Sequence, residues 1–265
     1  MKKALIISSS ILLFLIVLAG ILFGAVFRVR KQNIVIVGED VEFVQEIKDE
    51  ILASAGIKNG KSIFMLDKET AINNIEKTYP YVKVIQIKTV SVTEIQIIVR
   101  KRFDTYYVEN NSKYYILDED LKVLAINEIQ PNLTKYNSSG IIINNNTKVG
   151  DFVGNNYAKQ AAYDLFVALY EKANMDREAM SENVLSVSFA TGYTLSESYV
   201  RMILETKQGV TIDIYKPEQD LGRKIHICYT AISAPEVETG GTIKIFLDQN
   251  GLEKIGYFAP QQDLD

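Results

Sequence analysis

One uncharged segment near the amino terminus limits what this chain of 265 residues can become. Residues 4–27 contain no Asp, Glu, Lys or Arg, and no second stretch of this kind follows. A helix rises about 1.5 Å per residue, so the segment is long enough to cross a hydrocarbon core about 30 Å thick. The basic residues that flank it are Lys2, Lys3, Arg28, Arg30 and Lys31. The sequence therefore predicts a stub at residues 1–3, a transmembrane helix at 4–27 and one large body beyond it.

A cleaved secretory signal is the alternative for this segment. The apolar core of such a signal runs for about 7–15 residues and ends at a site of small residues. Here the apolar run is longer, and its later half keeps the bulky residues Leu22, Phe23, Val26 and Phe27, which favours an uncleaved anchor. The flanking charges are nearly balanced, so the positive-inside rule leaves the orientation open. The short stub favours a cytoplasmic amino terminus and a translocated body.

Composition narrows the class of the body. Once Lys2 and Lys3 are set aside from the 29 Lys and Arg, 27 remain against 33 Asp and Glu, a net charge of −6. This balance argues against a nucleic-acid partner, which would require a basic surface. The single cysteine, Cys228, excludes an internal disulfide. The length suffices for one large or two ordinary domains.

Residues 32–102 have the pattern of a small domain with the order β-α-α-β-β. The predicted elements are a strand at 33–38, a helix at 44–55, a helix between Asp67 and Pro80, and strands at 82–89 and 93–100. Gly56 is placed for a left-handed helix C-cap, and Asp67 for an N-cap. Pro80 ends the second helix, because the residue before a proline avoids the α region.

Residues 103–260 predict a mainly antiparallel β domain with two helices, followed by a short tail at 261–265, and the fold class is therefore α+β. The predicted strands are 106–108, 114–117, 123–126, 141–143, 184–189, 199–205, 210–215, 242–247 and 252–258, and the predicted helices are 158–173 and 217–232. Pro217 suits the first position of the second helix. Asn250-Gly251 is a strong hairpin signal between the last two strands.

No set of residues predicts catalysis, a cofactor or a metal site. His226, the sole histidine, lies two positions from Cys228 on a predicted helix, so the two side chains point to different faces. We interpret them as a solvent-facing histidine beside a packed cysteine. Residues 118–120, Asp-Glu-Asp, lack the glycine and the distal glutamate of a calcium loop and are interpreted as an acidic turn. Neither a phosphate-binding glycine loop nor a nucleophile elbow is present.

Several short motifs occur in a fixed order along nearly the whole chain. They are residues 33–38, Gly56 with Gly60, Ile63-Phe64 with Asp67, residues 79–85, the alternating Ile95, Ile97 and Val99 before Arg100 and Arg102, Leu117-Asp118, residues 207–210, Lys224, and Ile243 with Ile245. In this order the chain resembles the bacterial division protein family FtsQ/DivIB, and residues 32–102 resemble its POTRA domain. Two loops depart from the family pattern: Ser91-Val92-Thr93 lacks a proline, and residues 118–121 lack a glycine.

The resemblance implies a cytoplasmic amino terminus, an extracytoplasmic body and a place in the cell membrane at the division septum. It implies no catalysis, but a scaffold for the machinery of cell-wall synthesis. The partners that it implies are FtsL-like and FtsB/DivIC-like single-span proteins, bound by the membrane-distal β domain.

The end of the chain is the predicted partner-binding surface. A terminal hairpin commonly leaves a free sheet edge that accepts a strand from another protein, so we expect the region from Thr242 to Tyr257 to form this edge. The candidate residues are Thr242, Lys244, Phe246, Leu247, Asn250 and Tyr257. Matching the family's ending onto this chain singles out Leu247, Asn250 and Tyr257. The alternative is that the hairpin only closes the domain.

Two other functions stay open at this point. A POTRA-bearing outer-membrane assembly protein would need a barrel of alternating strands of about 10 residues each, for which this chain ends too soon. A membrane-tethered extracytoplasmic sensor or enzyme would need a pocket with converging polar groups, and the sequence names none.

Overall fold

The computed structural model describes residues 2–38, 41–193, 198–248 and 250–260, without the side chains of residues 2–10, 22, 23, 25, 41 and 43. The chain divides into two compact units, residues 1–102 and residues 103–265. The predicted tail at 261–265 and the stub residue Met1 lie outside the described residues.

The first unit begins with the helix α1 (Lys2–Val26), which covers most of the uncharged segment. Among the residues that the structure describes, no helix meets the length and apolarity of a membrane span. The transmembrane helix at 4–27 stays a prediction, and part of it lies outside the described side chains.

The rest of the first unit is a three-stranded sheet with helices. Its elements are β1 (Lys31–Ile36), α2 (Val41–Glu46), α3 (Lys48–Ser54), a 3-10 turn (Ile63–Met65), α4 (Lys68–Thr78), β2 (Val82–Ser91) and β3 (Glu94–Lys101). The sheet order is β1-β3-β2, in which β1 is parallel and β2 antiparallel to β3. The predicted β-α-α-β-β order is confirmed, but the first predicted helix is two short ones, because Ile47 leaves the helical backbone region (φ −101°, ψ 13°).

Both predicted helix caps are present. Asp67 accepts a hydrogen bond from the Thr70 backbone N–H at 2.9 Å, and Gly56 follows α3 with a left-handed φ of +65°. Alternate residues of β3, from Ile95 to Val99, are fully buried against the helices. The alternation of apolar residues in the sequence thus correctly predicts which face of β3 is buried.

A buried ion pair closes the end of this unit. Arg102, whose side chain is 2% exposed, places its Nη2 2.8 Å from Oε2 of Glu76 on α4. The other Glu76 oxygen, Oε1, accepts the Val84 backbone N–H at 2.9 Å. The pair therefore joins α4 to β2 and to the residue that follows β3.

The second unit is built on one nine-stranded sheet. Its elements are β4 (Tyr106–Asn110), β5 (Lys113–Leu117), β6 (Val123–Asn127), β7 (Thr134–Asn137), α5 (Asn156–Lys172), α6 (Arg177–Asn183), β8 (Val184–Tyr193), β9 (Ser198–Thr206), β10 (Thr211–Tyr215), α7 (Leu221–Ile232), β11 (Thr242–Leu247) and β12 (Glu253–Phe258). The strand order is β12-β11-β10-β9-β8-β7-β4-β5-β6. The pairs β10–β11, β7–β8 and β4–β7 are parallel, and the others are antiparallel. Buried residues of α5 and α7 form one core with the sheet.

Several predictions for this unit are wrong in detail. The structure has a helix, α6, and a strand, β7, that the sequence patterns did not indicate. In the sheet, β7 lies between β8 and β4. The predicted strand 141–143 is not a strand, because Ile141 makes only an isolated bridge to Gly154. The helix predicted from Pro217 begins at Leu221, since Lys216 and Asp220 have left-handed φ values of 43° and 52° that no helix tolerates.

Candidate partner-binding edge

The two edges of the nine-stranded sheet differ in how their backbone groups are satisfied. At the β6 edge, a loop pairs with the first residue of the strand: Val123 donates to the Asp151 carbonyl and Gly150 to the Val123 carbonyl, each at 2.8 Å. At the other edge, among the described residues, β12 has a backbone hydrogen-bonding partner on its β11 side alone. An edge of this kind presents unpaired N–H and C=O groups to another chain.

The hairpin turn fixes which β12 backbone groups face outward. Gly251 (φ +73°) donates to the Asp248 carbonyl at 3.0 Å, and Asp248 donates to the Leu252 carbonyl at 2.9 Å. This is a glycine bulge. Because hydrogen-bonded and non-hydrogen-bonded pairs alternate in an antiparallel ladder, the groups of Glu253, Ile255 and Tyr257 point away from β11.

An ionic cluster holds the first residue of this edge. Lys224 on α7 is buried, and its Nζ lies 3.1 Å from Glu253 Oε2. The same Nζ donates to the carbonyl oxygens of Tyr215 at 2.8 Å and of Lys216 at 3.1 Å. Arg223 Nη2 donates to the other Glu253 oxygen. We call Arg223, Lys224 and Glu253 the edge clamp, because they fix the start of β12 to α7 and to the end of β10.

The edge clamp predicts an acid-sensitive edge. Partial burial by itself raises the pKa of Glu253, but hydrogen bonds from Arg223 and Lys224 outweigh it and hold the pKa below its ordinary value. A carboxyl whose pKa is lowered in the folded state contributes stability above its unfolded pKa of about 4.3, and this stability is lost as pH falls through the folded pKa. We expect the protection factors of the β12 amides, which correct for the intrinsic pH dependence of exchange, to fall on acidification below about pH 4, and Glu253→Gln to weaken this acid response. An equal acid response in Glu253→Gln and the parent chain would contradict the role of this carboxylate.

Apolar side chains accompany the outward backbone groups. Leu252, Ile255 and Phe258 are between 46% and 56% exposed. Alternation along the strand places Ile255 on the helix side of the sheet, where it pairs with Ile245, and Phe258 on the opposite side. A strand added at β12 would therefore find apolar surface on both of its faces.

The structure distributes the six sequence-predicted residues over three positions. Thr242, Lys244, Phe246 and Leu247 lie on β11, whose backbone is paired with β10 from Thr242 to Ile245 and with β12 throughout. Asn250 is exposed in the turn, and Tyr257 lies on β12. The free edge is thus β12 alone, and the β11 residues are available to a partner only through their side chains. Their role in partner binding stays a prediction.

Tyr257 has a structural contact of its own. Its ring packs against the core, its hydroxyl accepts the Glu238 backbone N–H at 2.9 Å, and a Cβ at Gly241 would collide with it. Tyr257 therefore fastens β12 to the loop before β11. Sequence reasoning did not single out Glu253, Ile255 and Phe258, although the predicted strand 252–258 contains all three.

The other residues considered from the sequence lie away from this edge or are packed. His226 is exposed, and its Nδ1 lies 3.0 Å from the Lys172 carbonyl oxygen, whereas Cys228 is fully buried and burial raises its pKa to about 12. Asp118 Oδ1 accepts the backbone N–H groups of Asp120 and Lys122 at 3.0 and 2.8 Å, which makes it the closing residue of a turn between β5 and β6. Both interpretations from the sequence are confirmed. Within the described part of the chain, no three His, Cys, Asp or Glu side chains are grouped as metal ligands.

Comparisons with known proteins find a matching domain model and relatives named for cell division. A family model described as a POTRA domain of the FtsQ type matches residues 33–102. The cell division protein DivIB of Clostridium tetani is 33% identical over 129 residues, which are 48% of this chain and 48% of that protein. DivIB of Clostridium acetobutylicum is 28% identical over 102 residues, 38% of this chain and 40% of that protein. The chain therefore spans about half the length, or less, of these relatives. Residues 33–102 thus match an FtsQ-type POTRA domain, and the chain is similar to two cell division proteins named DivIB.

Proposed function

We propose that this protein is a non-enzymatic, membrane-anchored scaffold of the bacterial division machinery. It links FtsL-like and FtsB/DivIC-like single-span proteins to septal cell-wall synthesis. The observation that carries the proposal is the open β12 edge in a chain whose relatives are named for cell division. A scaffold requires a surface that recognises another chain, and an open edge flanked by exposed apolar side chains is such a surface.

The anchor in this proposal is the uncharged segment 4–27. Its length matches a bilayer core, and basic residues stand on both sides of it. The amino terminus is cytoplasmic and the body is extracytoplasmic, at the septal membrane. This topology puts both folded units on the side where the wall is made.

The partner contributes a β-strand to the edge. Three residues of β12, Glu253, Ile255 and Tyr257, offer outward backbone groups, so a segment of about five or six residues completes the added strand. An apolar side chain of the partner beside Ile255 would bury surface on the helix side. Main-chain hydrogen bonds supply affinity and these side-chain neighbours supply specificity.

A proline at Ile255 tests strand addition. The Ile255 N–H faces away from β11, so Ile255→Pro removes an outward donor but keeps the β11 ladder, and edge strands tolerate such a proline. We expect the affinity for the partner to fall about 10- to 100-fold. One lost hydrogen bond accounts for about 1 kcal/mol, and the pyrrolidine ring of the proline also keeps the partner strand from approaching β12 closely. The measurement is quantitative co-purification of the full chain, in detergent, with tagged FtsL-like and FtsB/DivIC-like proteins.

Ile255→Ala is the matched control. It keeps the N–H and removes only apolar area, so we expect a smaller loss of affinity. A folded Ile255→Pro protein that binds as tightly as the parent would mean that partners do not pair with β12. Equal losses in both variants would assign the binding to the Ile255 side chain and would exclude strand addition.

A further inference from the structure

Two exposed apolar tips of the first unit lie beside the end of α1. One is the 3-10 turn, in which Phe64 is 65% and Met65 74% exposed. The other is the end of β2 with the turn that follows it, where Val90 and Val92 are about half exposed. Large apolar side chains this exposed, in a pair at one end of a small domain, indicate a surface that is covered in the working protein.

Backbone hydrogen bonds hold both tips against the residues that leave α1. The Ile63 backbone N–H donates to the Phe27 carbonyl at 3.0 Å, and the ring centroids of Phe27 and Phe64 are 5.1 Å apart. Arg30 donates to the Thr93 carbonyl at 2.8 Å. If residues 4–27 span a bilayer, as proposed above, both tips therefore lie at the level of its surface.

Basic side chains surround this end of the unit. Exposed cations within a few residues of the tips or of the end of α1 include Arg28, Arg30, Lys31, Lys58 and Lys61. Of the nearby acids, Glu94 is 3.3 Å from Lys31, and Asp67 caps α4. The surface thus combines apolar tips with an excess of positive charge, which is the pattern of segments that lie in the interface of a membrane containing anionic lipids.

We propose that this end of the POTRA unit docks on the membrane surface, with Phe64 and Met65 inserted at the boundary of headgroups and acyl chains. Arg28, Arg30 and Lys61 would contact anionic phospholipid headgroups. The inference rests on the proposed anchor at residues 4–27. Its consequence is that α1 does not act as a loose tether: the first unit has a fixed orientation on the bilayer.

The chain contains no tryptophan, so single-tryptophan reporters give an unambiguous test. The probe is the full chain carrying Phe64→Trp, reconstituted in phosphatidylglycerol-containing vesicles with brominated acyl chains. We expect blue-shifted emission and quenching that is stronger for bromines near the headgroup than for bromines at the chain end, because interfacial side chains reach about 5–10 Å into this boundary.

Two further reporters separate the inference from the anchor on which it rests. Ile85→Trp is an exposed position on β2, about 20 Å of strand away from the β2–β3 turn, and we expect it to remain unquenched. Leu15→Trp lies in the middle of α1 and should be quenched most by the deepest bromines.

The pattern of quenching decides between the outcomes. Quenching at Leu15→Trp without quenching at Phe64→Trp would overturn the docking surface and leave the anchor standing. Absence of quenching at both positions would overturn the anchor and the docking together. Equal quenching at Phe64→Trp and Ile85→Trp would overturn this end-on orientation. Quenching at Phe64→Trp that is unchanged in purely zwitterionic vesicles would overturn the role of the basic side chains.

Discussion

Replacing Arg102 by alanine should lower the free energy of unfolding of the first unit by about 3–5 kcal/mol, the loss typical of a broken buried ion pair. The substitution removes the guanidinium that lies 2.8 Å from Glu76 and leaves that carboxylate buried. The Val84 N–H would still donate to this carboxylate, but it is a neutral donor. Most of the cost arises because the Glu76 carboxylate stays buried without the guanidinium, and less of it from the lost attraction itself.

Amide exchange along β2 and β3 under increasing urea measures this loss in the full chain. Lys31→Ala is the matched control in the same unit: it breaks the exposed pair with Glu94, and it should cost less than about 1 kcal/mol. If Arg102→Ala and Lys31→Ala changed the unfolding free energy equally, the buried pair would have no special role in the stability of this unit.

Replacing Lys224 by methionine should have the second largest effect, about 3 kcal/mol on the second unit, since removing one partner of a buried charged pair costs this much. Methionine fills similar volume but offers no donor to the Tyr215 and Lys216 carbonyls or to Glu253. The figure stands at the low end of the usual range because Glu253 is 28% exposed and water can partly solvate it.

The measurement that tests a local clamp is the position in the second unit at which amide exchange first accelerates. We expect Lys224→Met to accelerate amide exchange first in β12 and at the end of β10, because the edge clamp joins these two segments to α7. Arg223→Met removes the other cation that contacts Glu253, but this side chain is half exposed, so its effect should stay below about 1 kcal/mol. Exchange that rises uniformly over the second unit would argue against a local clamp.

The sequence allowed most of the first unit to be predicted, because local signals there agree with the tertiary structure. Asp67 and Gly56 mark helix ends through interactions within three or four residues, and the alternation from Ile95 to Val99 reports a face that is buried on one side. The break at Ile47 was not visible, since apolar residues on both sides of it keep the helical period.

The elements missed in the second unit carry weak local signals. β7 has four residues, Thr-Lys-Tyr-Asn, and is a strand because β4 and β8 pair with it from both sides. α6 is mostly polar, and Met180 is its one fully buried apolar side chain. Conversely, residues 141–143 are apolar like a strand, but this loop contributes a single bridge.

The sequence predicted that the candidate site lies in the last hairpin, but not which residues form the free edge. Asn250-Gly251 correctly indicated the last hairpin, whereas the pairing of β11 with β10 depends on the crossover through α7. This pairing moves Thr242, Lys244, Phe246 and Leu247 one strand inward from the edge. The contact between Lys224 and Glu253 joins residues far apart in sequence, and no periodicity reports such a pair.

The unequal edges of the nine-stranded sheet also set a valency. A strand that pairs with β12 extends the sheet by one position, whereas at the opposite end the loop at residues 150–153 already pairs with the first residue of β6. Two copies of this chain that met edge to edge through β12 would consume both open edges and stop at a pair. Through β12, each molecule therefore accepts one strand-sharing neighbour.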